Sequence, residues 1–234
     1  MTREAIVLAG GLGTRLREVV QDLPKPLAPV AGRPFLAWVL DRLVDEGVGH
    51  VVLATGYKAD LIEKALGASW RGVPLSYAVE RRPLGTGGAV RYAADLTKGN
   101  TIHIVNGDTF LRYSLEGLET STRSAGLGIG MALAEVDDTS RYGAVGLVDG
   151  RVRAFSEKGA HGPGLINAGC YYLDASAMQR LPERENFSLE RDFLEAAVAT
   201  IGVAGYRDTD GFIDIGVPAD YARAQQLFRH DQCP

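Results

Sequence analysis

Four short apolar runs restrict the fold of this chain more than any other feature. They are AIVLA at 5–9, HVVLAT at 50–55, LSYAVE at 75–80 and TIHIV at 101–105. Each is too short for a core helix and is closed by a glycine or a polar residue, the pattern of a strand buried on both faces. Helical patterns lie between them. PFLAWVLDRLVDEG places Phe35, Leu36, Val39, Leu40, Leu43 and Val44 on one face and ends at Gly47. A second helix is predicted over Ala59–Leu66, and GTGGAVRYAADL starts on glycines and continues helically. This alternation predicts an α/β fold, a Rossmann-like and mostly parallel mixed sheet with helices on both faces.

The second half is richer in strands. LGIGMALAEV and NAGCYYLD each read as one strand, and GAVGLVDGRVRAFSEK reads as two around Asp149-Gly150, a hairpin signal. SLERDFLEAAVAT reads as a helix capped by Ser188, with Leu189, Phe193, Leu194 and Ala197 on one face. GFIDIG is a short strand, and VPADYARAQQLFRH a closing helix with Pro218 in its first turn. No repeat or flexible linker interrupts the chain, so one domain over 1–234 with a small β-rich subregion is expected.

Composition excludes several function classes. The net charge is -4 with no long basic run, which disfavours nucleic acid as a partner. No apolar run approaches the ~20 residues that span a bilayer, so no membrane partner is expected. Cys170 and Cys233 make neither a metal spacing nor a disulfide framework, which fits a reducing cytoplasm.

The loop after the first strand, AGGLGTRLREVVQDLPKP (9–26), matches neither familiar phosphate loop. A dinucleotide fingerprint needs a third glycine where Leu16 stands, and no Walker run is present. What remains is a glycine turn whose backbone N–H groups can approach phosphate oxygens, followed by the planar donor fork of Arg15. Lys25 lies between Pro24 and Pro26, and Pro26 is expected to hold it extended and so aim its ammonium. Taken singly, Arg15 and Lys25 are also ordinary solvated charges; their combination in one loop after a strand favours phosphate.

At this point the chain resembles the sugar-1-phosphate nucleotidyltransferases. The opening GGLGTRL…LPKPLAPVAGRPFL, then VERRPLGTGGAV, VNGDTF, FSEK with GLINAGCYYL, and FIDIGVPADY follow that family's motifs in order over nearly the whole chain. Within the family it is most similar to the D-glycero-α-D-manno-heptose 1-phosphate guanylyltransferases, through those segments together with RYG and FSLERDFL. The resemblance implies a nucleotide-diphospho-sugar transferase, GT-A-like fold, with 1–112 mainly nucleotide-binding and 113–234 mainly sugar-binding and closing.

It also implies a reaction: a nucleoside triphosphate and a sugar 1-phosphate give a nucleotide-sugar and pyrophosphate. A monoester phosphate with a second pKa near ~6 is already ionised, so no general base is needed. The four histidines accordingly form no convincing catalytic constellation. The problem is to bring two anions together, which calls for cations and aligned N–H donors. Leu8, Ala9, Gly10, Gly11, Gly13 and Thr14 would cradle the nucleotide, and Arg15 would hold its β- and γ-phosphates. Lys25 would meet the α-phosphate and the incoming sugar phosphate. Asp108 and Asp214, at strand ends, would hold Mg²⁺; each is also a plausible turn or capping residue. Pro83, Leu84, Gly85, Thr86 and Gly88 would line the base, with the glycines leaving room for a flat ring, although a glycine-rich helix start has the same look. Glu80 would accept from a guanine edge or else face solvent. Gly143, Glu157, Lys158 and Asn167 would bind the sugar phosphate, with Asn167 also readable as a turn residue. Glu190 and Asp192 read as a solvated helix face, with a reach to a sugar hydroxyl as the alternative.

The implied substrates are GTP and a heptose 1-phosphate, for bacterial surface glycan synthesis. Alternatives are mannose 1-phosphate with GTP, N-acetylmuramic acid 1-phosphate with UTP, or glucose 1-phosphate with dTTP. A regulatory subunit without catalysis would lack one of Arg15, Lys25, Asp108 and Asp214, and all are present. The chain ends soon after the core, so a single-function enzyme is expected, with a homodimer through an apolar helix face as an open option.

Overall fold

A computed structural model describes residues 2–11, 20, 23–155 and 161–230. Gly13, Thr14, Arg15, Glu157 and Lys158 lie outside the described residues. The strands are β1 (Arg3–Leu8), β2 (Pro29–Val30), β3 (Arg33–Pro34), β4 (Val48–Thr55), β5 (Ser69–Trp70), β6 (Val73–Val79) and β7 (Ile102–Asn106). They continue with β8 (Thr109–Tyr113), β9 (Ile129–Val136), β10 (Val145–Val148), β11 (Arg151–Phe155), β12 (Gly164–Leu173), β13 (Ala204–Tyr206) and β14 (Thr209–Asp214). The helices are α1 (Phe35–Asp45), α2 (Ala59–Leu66), α3 (Gly85–Ala94), α4 (Leu115–Ser124), α5 (Ala175–Met178), α6 (Glu195–Thr200) and α7 (Pro218–His230).

Among the described residues ten strands form one sheet in the order β10-β11-β13-β9-β12-β7-β1-β4-β6-β5. The expected parallel half is there: β1 pairs in parallel with β4 and β7, and β4 with β6. The second half makes the sheet mixed, because β12 runs antiparallel to both β7 and β9. Along β1, Ala5 and Val7 pack in one core layer and Ile6 in the other. The first layer takes side chains from α1, α2, α4 and α7, the second from α3, α5 and α6, so helices cover both faces. This is why the parallel strands are apolar throughout rather than alternating. Among the described residues no helix is long and apolar enough to cross a membrane.

Two local features differ from the pattern reading. Ser188 caps as expected, its hydroxyl accepting from the Arg191 N–H, but the first turn over Leu189–Leu194 is a wide π-helical one before α6 begins. β8 and α4 were not distinguished at all. Ser114 caps α4 by accepting from the Gly117 N–H at 3.1 Å, and β8 leaves the main sheet to pair with β14. That side ladder sets Asp214 opposite Thr109, and it is what brings Asp214 beside Asp108.

Candidate active site

β1, β4, β6 and β7 end at one edge of the sheet, where open α/β folds bind ligands. Leu8, Ala9, Gly10 and Gly11 after β1, Ala54 and Gly56 around the end of β4, Glu80 after β6, and Asn106 and Asp108 at the end of β7 line one cleft of ≈ 670 Å³. Lys25, Pro26, Tyr57, Arg81, Arg82, Pro83, Gly85, Thr86, Ala89 and Gly216 complete it.

One end of the cleft is a charge cluster. Lys25 Nζ donates to Asp108 Oδ2 at 2.5 Å and lies 3.5 Å from Asp214 Oδ1. The lysine side chain is only 10% exposed, so its position is held by packing as well as by charge. Its backbone is not extended as expected. Lys25 opens a 3-10 turn, closed by Leu27 N–H to Pro24 O at 2.8 Å and Ala28 N–H to Lys25 O at 3.0 Å. Pro26 is tolerated inside this turn because no bond there needs its missing N–H. The stiff extended residue is Pro24, at φ -64° and ψ 144°. Asp214 Oδ1 also accepts from the Gly216 N–H at 2.7 Å. Burial, and then the Asp108 charge, push the Asp214 carboxyl up against the pull of Lys25. A Cβ at Gly216 would lie 2.8 Å from Asp214 Oδ1 and 3.2 Å from Lys25 Nζ, so a glycine keeps this pocket open.

A divalent ion suits this donor set. The oxygens are hard, and two carboxylates, Asp108 and Asp214, converge on one cation position, that of the Lys25 ammonium. Among the described residues no group of three or more His, Cys, Asp or Glu surrounds a metal position, so any ion here would draw its other ligands from substrate phosphates and water.

The other end holds Glu80. Its Oε2 accepts from the Leu84 N–H at 3.1 Å, and burial pushes its carboxyl up with only that N–H in opposition. Its Oε1 faces Gly10, where a Cβ would come within 3.2 Å.

The glycines of PLGTGGA also serve packing. Gly85 takes φ +71°, and a Cβ on it would overlap the Phe187 carbonyl. A Cβ on Gly87 would overlap the Phe187 ring, and one on Gly88 the Glu185 carbonyl. They let the start of α3 pack against residues 185–187, with Gly87 and Gly88 N–H both directed at Phe187 O. Gly88 and Leu84 are buried and do not line the cleft. Thr86 does line it, but its hydroxyl is held by protein, donating to Glu190 Oε2 at 2.7 Å and accepting from Leu189 N–H at 2.9 Å.

On the β12 side, Asn167 sits beside a bulge: its Nδ2 donates to Tyr171 OH at 2.8 Å and its Oδ1 accepts from Gly169 N–H at 2.9 Å. Gly143 closes a turn onto Thr139 O at 2.9 Å with φ +83°. Neither lines the cleft. Glu190 turns inward from the solvated face, whereas Asp192 stays exposed on it. Glu190 accepts from three protein hydroxyls, and Asp192 accepts from Ser188 N–H at 2.6 Å and pairs with Arg184 at 2.7 Å.

Pattern reading passed over Asn106, Tyr57, Arg81 and Arg82. Asn106 is the most informative: its Oδ1 is buried with no partner among the described residues. Gly169, at φ +69°, has no Cβ to collide with that amide. Its signal was available, an amide at the end of a buried strand directly before Gly-Asp.

Fold and site together define a nucleotide-handling α/β enzyme of the sugar-1-phosphate nucleotidyltransferase class. The profile of the family described as Nucleotidyl transferase matches residues 4–230, and the chain belongs to that family. It is 40% identical to the D-glycero-alpha-D-manno-heptose 1-phosphate guanylyltransferase of Aneurinibacillus thermoaerophilus, over 97% of this chain and 99% of the relative. It is 37% identical to the protein of the same description from Campylobacter jejuni, over 93% of this chain and 96% of the relative. The crystal structure of HddC from Yersinia pseudotuberculosis complexed with GMP-PN superposes with a TM-score of 0.84 at 34% identity, covering 97% of this chain and 100% of that one.

Proposed function

We propose that the protein transfers GMP from GTP to D-glycero-α-D-manno-heptose 1-phosphate, giving GDP-heptose and pyrophosphate in the cytoplasm for surface-glycan synthesis. The observation that carries this reading is one cleft with a Lys25–Asp108–Asp214 cluster at one end and the half-buried Glu80 at the other. The names of the relatives support the substrate pair.

In this reading the guanine lies against Pro83 and Gly85, and Glu80 accepts from its N1–H and amino group. An acidic acceptor there disfavours a uracil or thymine edge, which would set a carbonyl against it. The glycine turn offers backbone N–H groups to the triphosphate, and Arg15 takes the β- and γ-phosphates. A sugar-phosphate oxygen attacks the α-phosphorus in line, and the bond from that phosphorus to the bridging oxygen breaks as pyrophosphate leaves. Asp108 and Asp214 would hold Mg²⁺, which when bound supplies positive charge to the phosphate oxygens. The Lys25 ammonium, at the end of the cleft, neutralises the approaching phosphates. Gly143, Glu157, Lys158 and Asn167 orient the sugar phosphate. Residues 1–112 thus serve mainly the nucleotide and 113–234 mainly the sugar.

The test is pyrophosphate release over a grid of GTP, UTP and dTTP against heptose, mannose, glucose and N-acetylmuramic acid 1-phosphates. GTP with the heptose phosphate is expected to be fastest. Faster release with a pyrimidine nucleotide would sink the role of Glu80, and faster release with mannose 1-phosphate would move the sugar assignment.

A further inference from the structure

Glu190 links the start of α3 to β12, and each hydroxyl bonded to it has its direction settled by the donor on its other side. Leu189 N–H donates to Thr86 Oγ1 at 2.9 Å, so the Thr86 hydroxyl proton is left for Glu190 Oε2 at 2.7 Å. Arg191 N–H donates to Ser188 Oγ at 3.2 Å, and that hydroxyl likewise donates to Oε2 at 3.0 Å. On the other side, Gly169 N–H can only donate, so the Asn167 atom facing it at 2.9 Å is Oδ1. The Asn167 amide nitrogen therefore faces Tyr171, donating to its hydroxyl at 2.8 Å, and Tyr171 passes its own proton to Glu190 Oε1 at 3.3 Å. Tyr171 is 1% exposed, so its hydroxyl has no water to turn to instead. Three hydroxyl protons converge on one carboxylate, the only common side chain that accepts on both atoms and donates on neither.

We propose that Glu190 is a positioning residue for the transfer reaction: by accepting from Thr86, Ser188 and Tyr171 it orients the Tyr171 hydroxyl that holds the Asn167 amide, and ties that amide to the cleft-lining start of α3. One Asn167 N–H is spent on Tyr171 and its oxygen on Gly169, so the amide meets a sugar hydroxyl as a donor through its second N–H. The inference rests on the reading of Asn167 as a sugar-site residue. A neutral amide at 190 cannot do the same. Its NH₂ group would confront either Tyr171 or the Thr86–Ser188 pair with a donor where an acceptor is needed, and the mismatch on the Tyr171 side takes away the acceptor that orients the Tyr171 hydroxyl toward the Asn167 amide.

The test compares Glu190→Gln, Asn167→Ala and the double variant, with GTP and D-glycero-α-D-manno-heptose 1-phosphate. Glu190→Gln and Asn167→Ala are each expected to raise the sugar-phosphate KM about tenfold, with a smaller effect on kcat, and the double variant to be no worse than Asn167→Ala alone. Effects that multiply toward about a hundredfold would overturn the relay. A second readout needs no substrate: Gly169 amide exchange should accelerate in Glu190→Gln while amides of β1 keep their protection, and Glu190→Asp, which keeps the acceptor charge, should restore part of it. Unchanged Gly169 exchange overturns the lock, as does loosening spread evenly over α3 and the π-helical turn, which would mark a purely structural role. An unchanged sugar-phosphate KM in Asn167→Ala would remove Asn167 from the sugar site, and the Gly169 result then separates that failure from failure of the lock.

Discussion

The two ends of β1 treat buried carboxylates in opposite ways. At its start Glu4 is 5% exposed and fully served: Lys98 N–H donates at 2.8 Å, Gly99 N–H donates to the same oxygen, and His50 Nδ1 sits 2.7 Å from the other. Burial pushes this carboxyl up, but His50 and the two N–H groups together hold it below the usual carboxylate range. Beyond the other end of β1, Asp214 and Glu80 are pushed up, Asp214 by burial and the Asp108 charge, Glu80 by burial with a single N–H against it. Both ends bury acids in the same sheet, and the difference lies in the supply of donors. The protein supplies them at Glu4. At the cleft it supplies fewer, one N–H to each of Glu80 and Asp214 and a Lys25 shared between two carboxylates, and both carboxyls stay raised.

Neutralising the cleft acids should therefore harm turnover and spare the fold, with the reverse at Glu4. The largest effect is expected from Asp108→Asn, which should lower kcat about a hundredfold or more in Mg²⁺ buffer while leaving the melting temperature near that of the unaltered protein. Turnover close to normal in a pyrophosphate-release assay would remove Asp108 from the metal role.

Glu80→Gln comes next. Preference for GTP over UTP, read as the ratio of kcat/KM values, should fall about tenfold as the acceptor pair is lost. The same variant sharpens the comparison through pH. A carboxyl raised in the folded state contributes stability that is present below its unfolded value and is lost as pH rises through the raised one. Glu80→Gln should thus melt no lower than the unaltered protein at neutral pH, and a clear drop there would show that the charge at 80 is structurally satisfied after all.

A smaller catalytic effect is expected from Pro26→Ala. Freeing the 3-10 turn should lower turnover about threefold by loosening Lys25, against a stability loss of about 0.5–1 kcal/mol. Denaturant melts beside kinetics check this, and a loss of stability with unchanged kcat would make the proline purely structural.

Glu4→Gln should leave kcat and KM alone and cost about 2 kcal/mol at neutral pH, because an amide cannot accept from both sides. For a depressed carboxyl the contribution is present above the unfolded value and disappears as pH falls through the folded one. The stability gap between Glu4→Gln and the unaltered protein should therefore close on acidification below the usual carboxylate range. A gap that stays constant with pH would mean that packing, and not charge, is what Glu4 provides.

Much of the fold was legible in the sequence because it rests on short-range causes. The apolar runs of β1, β4, β6 and β7, the face of α1, the span of α2 and the Ser188 cap all follow from neighbours within a few residues. The exceptions have particular reasons. The glycines of PLGTGGA read locally as room for a ligand, and the pattern gave no sign that Phe187 and Glu185, about a hundred residues on, press on Gly85, Gly87 and Gly88. β8 escaped notice because its partner is β14, far along the chain, rather than a neighbouring hairpin strand. Glu190 looked like a charge on a solvated helix because its donors, Thr86 and Tyr171, come from other elements.

By itself the sequence determined which chemical groups are available and in what order: the glycines after the first strand, the lysine between Pro24 and Pro26, and the acids at Asp108 and Asp214 beside strand ends. Only the tertiary structure decided which of those acids are satisfied and which are left wanting. An acid at position 4 and one at position 80 are the same group in the chain, and what separates them is whether distant backbone and side-chain donors reach them once the sheet has formed. That depends on packing across the whole fold, and so on contacts that no local pattern encodes.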